Sequence, residues 1–480
     1  MVKRVSREVI LTLYKRGLFI GPLLFFIVQS LDLQMDERAQ TFLAIFTWTV
    51  SQWFLTNIPL FITGLLGVST SVMFGVVSAS EAFAPFSNPI IFLFLGGFLF
   101  ARALEVMGFD RKISIWLLTS QFFKGSFKKT MFGVFALTAL FSMWVSNTAT
   151  TAMMLPIVLG IIKSLKIKDD KIKSSILLGM AYSATIGGLG TPIGSPPNMI
   201  AIGMLKDLAN VDFSFFQWFL TFIPIVVASV FGLTWWICKK VDHSSMDFSK
   251  LDLVQTEKFG KLNRHEFFVI FLFSLTVFFW FSPSVFSIIL GKEHALSVFF
   301  KERLDPGIVS IFFASLLFVF PLRDNIKILS LDDAKQIDWP SLVLFGSGLS
   351  LGGILFKTGL ANIAGDLLIS NLGSGSSFVL VLALVIFTIF MTEVASNTAA
   401  ANILIPIVIA SATSLDTSIL ALVLAVAASC NMAFMLPVAT PPNAIIYGSG
   451  EVEIGTMIKT GFGFNIISII VVVSMIMLII

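Results

Sequence analysis

The chain alternates long apolar runs with short polar connections. A helix needs about 20 apolar residues to cross a bilayer. Runs of roughly that length predict about 11 spans, at 17–30, 38–53, 55–75, 88–108, 175–205, 216–238, 266–284, 306–322, 339–360, 417–448 and 461–480. This pattern indicates an all-α polytopic membrane protein, with connections too short to form a further domain.

Two further apolar stretches, 130–162 and 377–410, do not fit a single helix each. A polar tripeptide interrupts each one, Ser146-Asn147-Thr148 in the first and Ser396-Asn397-Thr398 in the second. The arms on either side have about 14 residues, or ~21 Å of helix. Because the hydrocarbon core is about 30 Å thick, we expect two re-entrant hairpins. Their tips would lie inside the membrane, buried in protein.

The composition limits the class of protein. The chain is 56% hydrophobic and 12% charged, with a mean hydropathy of +0.94, whereas soluble domains are about a quarter charged. The net charge of +4 is spread over loops, so nucleic-acid binding is not expected. The cysteines and histidines lack metal-ligand spacing, and no phosphate-binding loop is present. We therefore expect neither an enzyme nor an ATP-driven pump.

Basic residues predict the side of the membrane on which each hairpin opens. Cytoplasmic connections are rich in Lys and Arg. Lysines flank the first hairpin on both sides, at Lys124, Lys128, Lys129, Lys163, Lys166, Lys168, Lys171 and Lys173. The second hairpin is flanked by 371–377 and 411–418, which contain no Lys or Arg. The first hairpin would enter from the cytoplasm and the second from outside, in a multi-pass protein of the cell inner membrane.

The two halves of the chain repeat one another. The Ser-Asn-Thr tripeptides at 146–148 and 396–398 are 250 residues apart, and so are Pro156 and Pro406. The Pro-Pro-Asn tripeptides at 196–198 and 441–443 are 245 apart. Two ordered pairs at a nearly constant offset indicate duplication. Together with the opposite hairpin orientations they predict inverted repeats, which are typical of secondary transporters.

Each half also contains a long span that cannot be one continuous helix. Gly and Pro interrupt the first over 187–198 and the second over 436–443, and Pro removes a donor and clashes with the preceding turn. A break exposes carbonyl groups, which suit a hard cation, and N–H groups at a helix N-terminus, which suit an anion. We therefore expect both kinds of ligand near the two breaks.

Symmetry between the halves assigns the residues. We predict two Na⁺ sites, one made of Ser142, Ser146, Asn147 and Gly194 and the other of Thr392, Ser396, Asn397 and Ala439. We assign the anion to the tripeptides and the Pro-Pro segments: Ser146, Asn147, Thr148, Ser195, Ser396, Asn397, Thr398, Thr440 and Pro441. The alternative is that these polar residues only join helices by hydrogen bonds, and that Gly and Pro only pack and kink.

Glu393 is the acidic residue of the second hairpin, and its counterpart in the first half is Met143. A carboxylate at membrane depth is a functional candidate by default. Two interpretations stay open. The carboxylate either caps backbone N–H groups near the tip or takes part in ion coupling.

The paired motifs resemble those of the divalent anion/sodium symporter family, the di- and tricarboxylate carriers. The resemblance runs from about residue 55 to the end and is carried by four stretches, 146–150, 392–399, 194–198 and 435–443. It implies a homodimer in which a transport domain moves against a scaffold, as an elevator. It also implies a dicarboxylate bound between the two tips with Na⁺ beside each. Ser195 and Thr440 differ between the repeats, so symmetry does not give the selectivity.

These observations predict a secondary active transporter, a sodium-coupled symporter of a dicarboxylate such as succinate. The alternative is a sodium-independent exchanger of a dicarboxylate or sulfate. Membrane lipid, the anion, Na⁺ and a second copy of the chain are the expected partners. We divide the chain into scaffold spans at 1–87, a first repeat at 88–240, connecting and scaffold segments at 241–338, and a second repeat at 339–480.

Overall fold

The computed structural model describes residues 7–56, 58–109, 112, 126–165, 167–241, 263–322, 326–372, 377–412 and 418–479. Apart from one two-stranded antiparallel pair, β1 (Pro321–Leu322) with β2 (Ile326–Lys327), the regular elements of this part of the chain are helical. The expected all-α polytopic class is confirmed.

The helices before residue 241 are α1 Arg7–Ser30, α2 Glu37–Leu55, α3 Leu60–Met73, α4 Ala79–Phe83, α5 Pro89–Val106, α6 Phe127–Ser142, α7 Asn147–Ser164, α8 Asp170–Gly187, α9 Pro196–Ala209 and α10 Phe215–Lys240. Short 3₁₀ turns lie at Ala84–Ser87 and Pro192–Gly194. The expected spans correspond to these helices, but α1 begins in a charged segment. Apolarity therefore does not mark where a helix starts.

The later helices are α11 Arg264–Leu290, α12 Ala295–Arg303, α13 Pro306–Val319, α14 Leu331–Lys335, α15 Trp339–Lys357, α16 Leu360–Leu372, α17 Ser377–Val394, α18 Asn397–Ala412, α19 Ile419–Cys430, α20 Pro441–Gly448 and α21 Ile454–Met477. Six helices in the described ranges are long and apolar enough to cross a membrane: α5, α10, α11, α15, α17 and α21. Shorter apolar helices, among them α3, α13, α18 and α19, accompany them.

Both interrupted stretches form helical hairpins whose arms meet at the polar tripeptides. The arms are α6 and α7 in the first and α17 and α18 in the second, with 16 and 18 residues and 18 and 16 residues. The expected length of about 14 residues per arm was too short, and α17 is itself long and apolar enough to cross a membrane. In α6 the helix includes Lys128 and Lys129, because the Ser126 side chain caps it by accepting from the Lys129 N–H at 3.3 Å.

The broken spans are the centre of the molecule. In α8 every residue from Ser174 to Gly187 is buried, and so is every residue of α19 from Ala421 to Cys430. The first hairpin packs on α8 and the second packs on α19. These four segments therefore form a continuous apolar core around the two breaks.

The two halves exchange their short helices. Helix α9 follows the first break but packs against α18 of the second hairpin, and α20 follows the second break but packs against α7 of the first. Each break is thus held between its own hairpin and the hairpin of the other half. This crossed arrangement brings both polar tips toward one region of the molecule.

Candidate substrate and cation site

A buried hydroxyl–amide pair closes the first hairpin tip. Ser142, at the end of α6, donates from Oγ to Oδ1 of Asn147 at 2.6 Å. Asn147 begins α7, and the preceding Ser146 caps that helix, because its Oγ accepts from the Ala149 N–H at 3.2 Å. Ser142 is fully buried. The tip therefore presents several oxygen atoms within one turn.

The second tip has the same arrangement. Thr392 donates from Oγ1 to Oδ1 of Asn397 at 2.7 Å, and Thr392 is fully buried. The Thr392 hydroxyl also lies 3.3 Å from the carbonyl oxygen of Cys430, the last residue of α19. Residues that lie 250 positions apart in the sequence therefore form the same hydrogen bond in the two tips.

Asparagine side chains brace both broken spans. In the first, Asn198 donates from Nδ2 to the carbonyls of Gly188 and Thr191, each at 2.8 Å. In the second, Asn443 donates to the carbonyls of Ala433, at 3.4 Å, and Leu436, at 3.0 Å. Positions 188 and 191 become 433 and 436 at the offset of 245 residues. The asparagine of each Pro-Pro-Asn motif therefore fixes the shape of its break.

The first predicted cation cluster comes together around Gly188. A Cβ atom at Gly188 would lie 2.5 Å from Oδ1 of Asn147 and 3.0 Å from the Gly194 carbonyl oxygen. Since Ser142 is bonded to Asn147, three of the four predicted residues surround one glycine, and Ser146 directly precedes Asn147. The missing side chain at Gly188 lets Asn147 and the Gly194 carbonyl approach its backbone closely, and the oxygens gathered there are neutral, which is the donor set that a hard cation prefers.

The second cluster brings together Thr392 and Asn397, with the Cys430 carbonyl beside the threonine. Ser396 directly precedes Asn397, as Ser146 precedes Asn147. Ala439 lies in the second break, where its N–H donates to the Leu436 carbonyl at 3.2 Å. Asn443 binds the same carbonyl, so Ala439 belongs to the turn that this asparagine braces.

Glu393 caps the second break. Its Oε1 accepts from the N–H groups of Phe434, at 2.6 Å, and Met435, at 2.9 Å. Its Oε2 accepts from the N–H groups of Met435, at 2.9 Å, and Leu436, at 3.1 Å. The Asn465 side chain of α21 donates to Oε1 at 2.8 Å. This geometry favours the capping interpretation, because the carboxylate satisfies three consecutive N–H groups that the break leaves without helical partners.

The first half makes the equivalent contact with different chemistry. Met143, the counterpart of Glu393, accepts on its backbone carbonyl from Oγ1 of Thr191. Thr191 is the counterpart of Leu436. The same two positions therefore join tip to break in both halves, through a threonine hydroxyl in one and through a carboxylate in the other.

One hydrogen bond connects the two broken spans directly. Asn431, which follows α19, donates from Nδ2 to Oδ1 of Asn198 at 3.0 Å. Both residues are fully buried, and the position equivalent to Asn431 is Ile186. This hydrogen bond therefore has no equivalent in the other half, and it joins the second break to Asn198, the asparagine that braces the first.

The residues assigned to the anion lie at the tips and at the starts of α9 and α20. Ser146, Thr148 and Pro441 are exposed, and Ser396 and the two tripeptide asparagines are partly buried. Thr398, Ser195 and Thr440 are buried, with 8%, 3% and 3% of their surface exposed. Thr440 Oγ1 accepts from the Asn443 N–H at 3.4 Å, whereas Ser195 makes no such cap.

Several residues of this centre were not among those predicted. Gly188, Thr191, Asn198, Asn431 and Asn443 form its braces, although only the repeated Pro-Pro-Asn motif gave a signal for two of them. Asn431 has no repeated counterpart, so its link to Asn198 depends on packing that the sequence does not reveal.

A family model described as the sodium:sulfate symporter transmembrane region matches residues 16–479. The chain belongs to this family. The resemblance expected from the paired motifs is thereby confirmed. The centre described above is accordingly the broken-helix region of a sodium:sulfate symporter family protein, a membrane transporter.

Curated relatives match almost the whole chain. A sodium-dependent dicarboxylate transporter, SdcS, of Staphylococcus saprophyticus is 34% identical over 479 residues, which cover 95% of this chain and 89% of the relative. The SdcS protein of Staphylococcus aureus (strain USA300) is 33% identical over 477 residues, with the same coverage. An uncharacterized transporter of Haemophilus influenzae is 35% identical over 471 residues, which cover 96% of each chain.

Two solved structures share the fold. The YdaH transporter of Alcanivorax borkumensis aligns over 97% of each chain with a TM-score of 0.57 and 13% identity. The MtrF protein of Neisseria gonorrhoeae aligns over 94% of this chain and 96% of its own, with a TM-score of 0.51 and 13% identity. These similarities support the helical transporter architecture of the family and carry no information on the substrate.

Proposed function

We propose that this protein is a sodium-coupled symporter of a small dicarboxylate, such as succinate. The observation that carries the proposal is the pair of matching tips, in which Ser142 binds Asn147 and Thr392 binds Asn397 beside a broken helix. Relatives named sodium-dependent dicarboxylate transporters match 95% of the chain, which supports this cargo.

Sodium would bind at the two oxygen clusters as a transported ion. The first is formed by Ser142, Ser146, Asn147 and the Gly194 carbonyl, and the second by Thr392, Ser396, Asn397 and the Ala439 carbonyl. Neutral hydroxyl, amide and carbonyl oxygens suit a hard monovalent cation. In the first cluster, the short distances from Gly188 to Asn147 and Gly194 support the assignment.

The dianion would bind between the tips, at the residues assigned above. The tripeptides and the Pro-Pro segments contain no Lys or Arg. Neutral donors, helix N-termini with roughly +0.5 charge each and bound Na⁺ must therefore balance its charge. This favours an ordered mechanism in which Na⁺ enters before the anion.

We further propose that a transport domain, containing both hairpins and both broken spans, moves against a scaffold in a homodimer of the cell inner membrane. The crossed packing of α9 on α18 and of α20 on α7 supports one rigid unit, because neither half could move without the other. Movement of that unit as an elevator would carry the site across the membrane without dismantling it.

Uptake into proteoliposomes tests the proposal. Labelled succinate should accumulate when Na⁺ is high outside and should not when K⁺ replaces it. Because the family is described as sodium:sulfate symporters, sulfate is the second candidate cargo. If sulfate accumulated and succinate did not, the cargo assignment would be wrong, and uptake indifferent to Na⁺ would favour the exchanger.

A further inference from the structure

Four exposed lysines surround the end of α10, outside the transport centre. Two of them end α10 itself, one lies in the first turn of α6, and one lies in the second turn of α21. Helix α10 packs against both α6 and α21, so the three helices bring these side chains to one part of the surface. The four residues are called the basic cluster: Lys128, Lys239, Lys240 and Lys459.

Packing contacts give the register of α10 against α21. A Cβ at Gly232 would lie 3.1 Å from Cγ2 of Ile467, and a Cβ at Gly463 would meet the ring of Trp236. Position 232 is therefore opposite 467, and position 236 is opposite 463. The two helices are antiparallel, and each turn gained along α10 corresponds to one turn back along α21.

The same register places two lysines side by side. Lys240, four residues after Trp236, is opposite Lys459, four residues before Gly463. The Nζ of Lys240 lies 4.4 Å from the centre of the Trp236 ring, which packs on α21. Among the described residues, no carboxylate forms an ion pair with either lysine. Because two neighbouring like charges repel each other, an anion between them is favoured.

The other two lysines extend this charge across the outer face of α10 toward α6. The Nζ of Lys239 lies 5.0 Å from the centre of the Trp235 ring, and Trp235 is 57% exposed. Lys128 interacts electrostatically with the thiol of Cys238, in the last turn of α10. Neither lysine forms an ion pair with a carboxylate in the described part of the chain. The basic cluster therefore gathers four cations without a protein counter-charge.

An apolar column runs along α10 up to the basic cluster. Leu220, Val227, Phe231 and Trp235 recur on one face of the helix, and they are 55%, 47%, 58% and 57% exposed. Phe231 stacks on Phe132 of α6 with ring centres 4.9 Å apart, so α6 borders this face. A tryptophan at the end of an exposed apolar column is typical of the membrane–water interface. The basic cluster therefore lies at the level of the lipid headgroups.

This combination identifies the chemical class of the ligand. A lysine ammonium group binds phosphate as a point charge, and basic residues at a membrane surface attract anionic lipids. The apolar column below the basic cluster suits acyl chains, whereas a soluble phosphate compound would leave it without a partner. A lipid with net negative charge matches both features.

We propose that the basic cluster and the apolar column form a binding site for one anionic phospholipid. Its phosphate lies between Lys240 and Lys459, with Lys239 beside it and Lys128 on the α6 side. One acyl chain lies along the apolar column. The site is separate from the transport centre and does not depend on the proposed cargo.

Binding of two lipids that differ in net charge tests this proposal. Phosphatidylglycerol and phosphatidylcholine with identical acyl chains are added to the purified full chain in detergent, and retained lipid is measured by native mass spectrometry. We expect about tenfold tighter binding of phosphatidylglycerol, because no choline offsets its phosphate charge. Equal binding of the two lipids would overturn the proposal. Displacement of phosphatidylglycerol by an equal concentration of inorganic phosphate would also overturn it, because the acyl chain would then contribute nothing.

Matched double variants locate the site. Lys240→Gln combined with Lys459→Gln should lower the preference for phosphatidylglycerol about tenfold. Lys163→Gln combined with Lys171→Gln removes the same charge at the end of α7 and the start of α8 and should keep the preference. All four side chains are exposed, so folding tolerates these changes. An equal loss of preference in both double variants would mean that only the total charge of the protein matters, and the proposed site would be wrong.

Discussion

Single residues define the centre of this transporter. The sequence identified the tip residues, because they recur at a fixed offset, and the structure shows the bonds of Ser142 to Asn147 and of Thr392 to Asn397. For Glu393 the sequence left two interpretations open. The N–H groups that its carboxylate binds belong to a break 41 to 43 residues away. A local sequence pattern does not predict such distant partners.

Replacement of Glu393 by Gln should destabilise the protein. The amide keeps one acceptor oxygen but turns an NH₂ group toward N–H groups of the break, and a hydrogen bond to a charged group is worth about 1.5–3 kcal/mol. We expect a lower thermal midpoint in detergent. Glu302→Gln, at an exposed acid of α12, is the control and should leave the midpoint nearly unchanged. An unaltered midpoint for Glu393→Gln would exclude a capping role.

The two tripeptide asparagines should each be essential for transport. Asn147→Ala and Asn397→Ala remove an amide from the tip, and loss of one charge-assisted hydrogen bond costs about 1.5–3 kcal/mol, more than tenfold in affinity. The measurement is the succinate concentration that gives half-maximal uptake. Asn362→Ala, on the exposed side of α16, should behave like the unmodified protein. If both tip variants kept a near-normal succinate concentration for half-maximal uptake, the Ser-Asn-Thr motifs would not bind the anion and would only join helices by hydrogen bonds.

At the scale of elements, apolar length and polar interruption predicted the helix order and both hairpins. The lengths of the arms were less predictable, because capping side chains such as Ser126 extend a helix into charged sequence. The breaks were predictable from Gly and Pro. The crossed packing of α9 and α20 was not, because it depends on contacts between halves of the chain.

The first break should tolerate no side chain at Gly188. An added methyl group would lie 2.5 Å from Oδ1 of Asn147 and displace a predicted cation ligand. We expect Gly188→Ala to raise the Na⁺ concentration for half-maximal uptake by about tenfold, the equivalent of 1.4 kcal/mol. Gly160→Ala, in α7 with open space around the added Cβ, is the matched control. An unchanged Na⁺ dependence in Gly188→Ala would place the cation elsewhere.

The orientation of the hairpins can be tested by cysteine labelling. We expect Lys128→Cys and Lys171→Cys, at exposed positions on either side of the first hairpin, to react from the cytoplasm. Ser418→Cys, exposed after the second hairpin, should react from outside. Ser374 and Thr413, which also flank the second hairpin, lie outside the described residues. Labelling of positions 128 and 171 from opposite sides would mean that the first hairpin spans the membrane.

At the scale of the whole molecule, two repeats enclose one centre, and the asymmetric bond from Asn431 to Asn198 joins them. The family, its transporter architecture and most tip residues follow from the sequence, because duplication makes a functional pattern visible twice. The braces of the two breaks do not follow from it. They arise from single contacts between distant helices, which leave no repeated signal.

If two oxygen clusters bind Na⁺ and thereby create the anion site, succinate uptake depends cooperatively on Na⁺. The most direct measurement is succinate uptake into proteoliposomes as a function of external Na⁺ at fixed ionic strength. Two coupled sites predict a sigmoidal curve with a Hill coefficient above 1, together with an apparent affinity for succinate that rises with Na⁺. A hyperbolic curve with unchanged succinate affinity, or uptake that persists without Na⁺, would mean that the two clusters do not create the anion site by binding Na⁺.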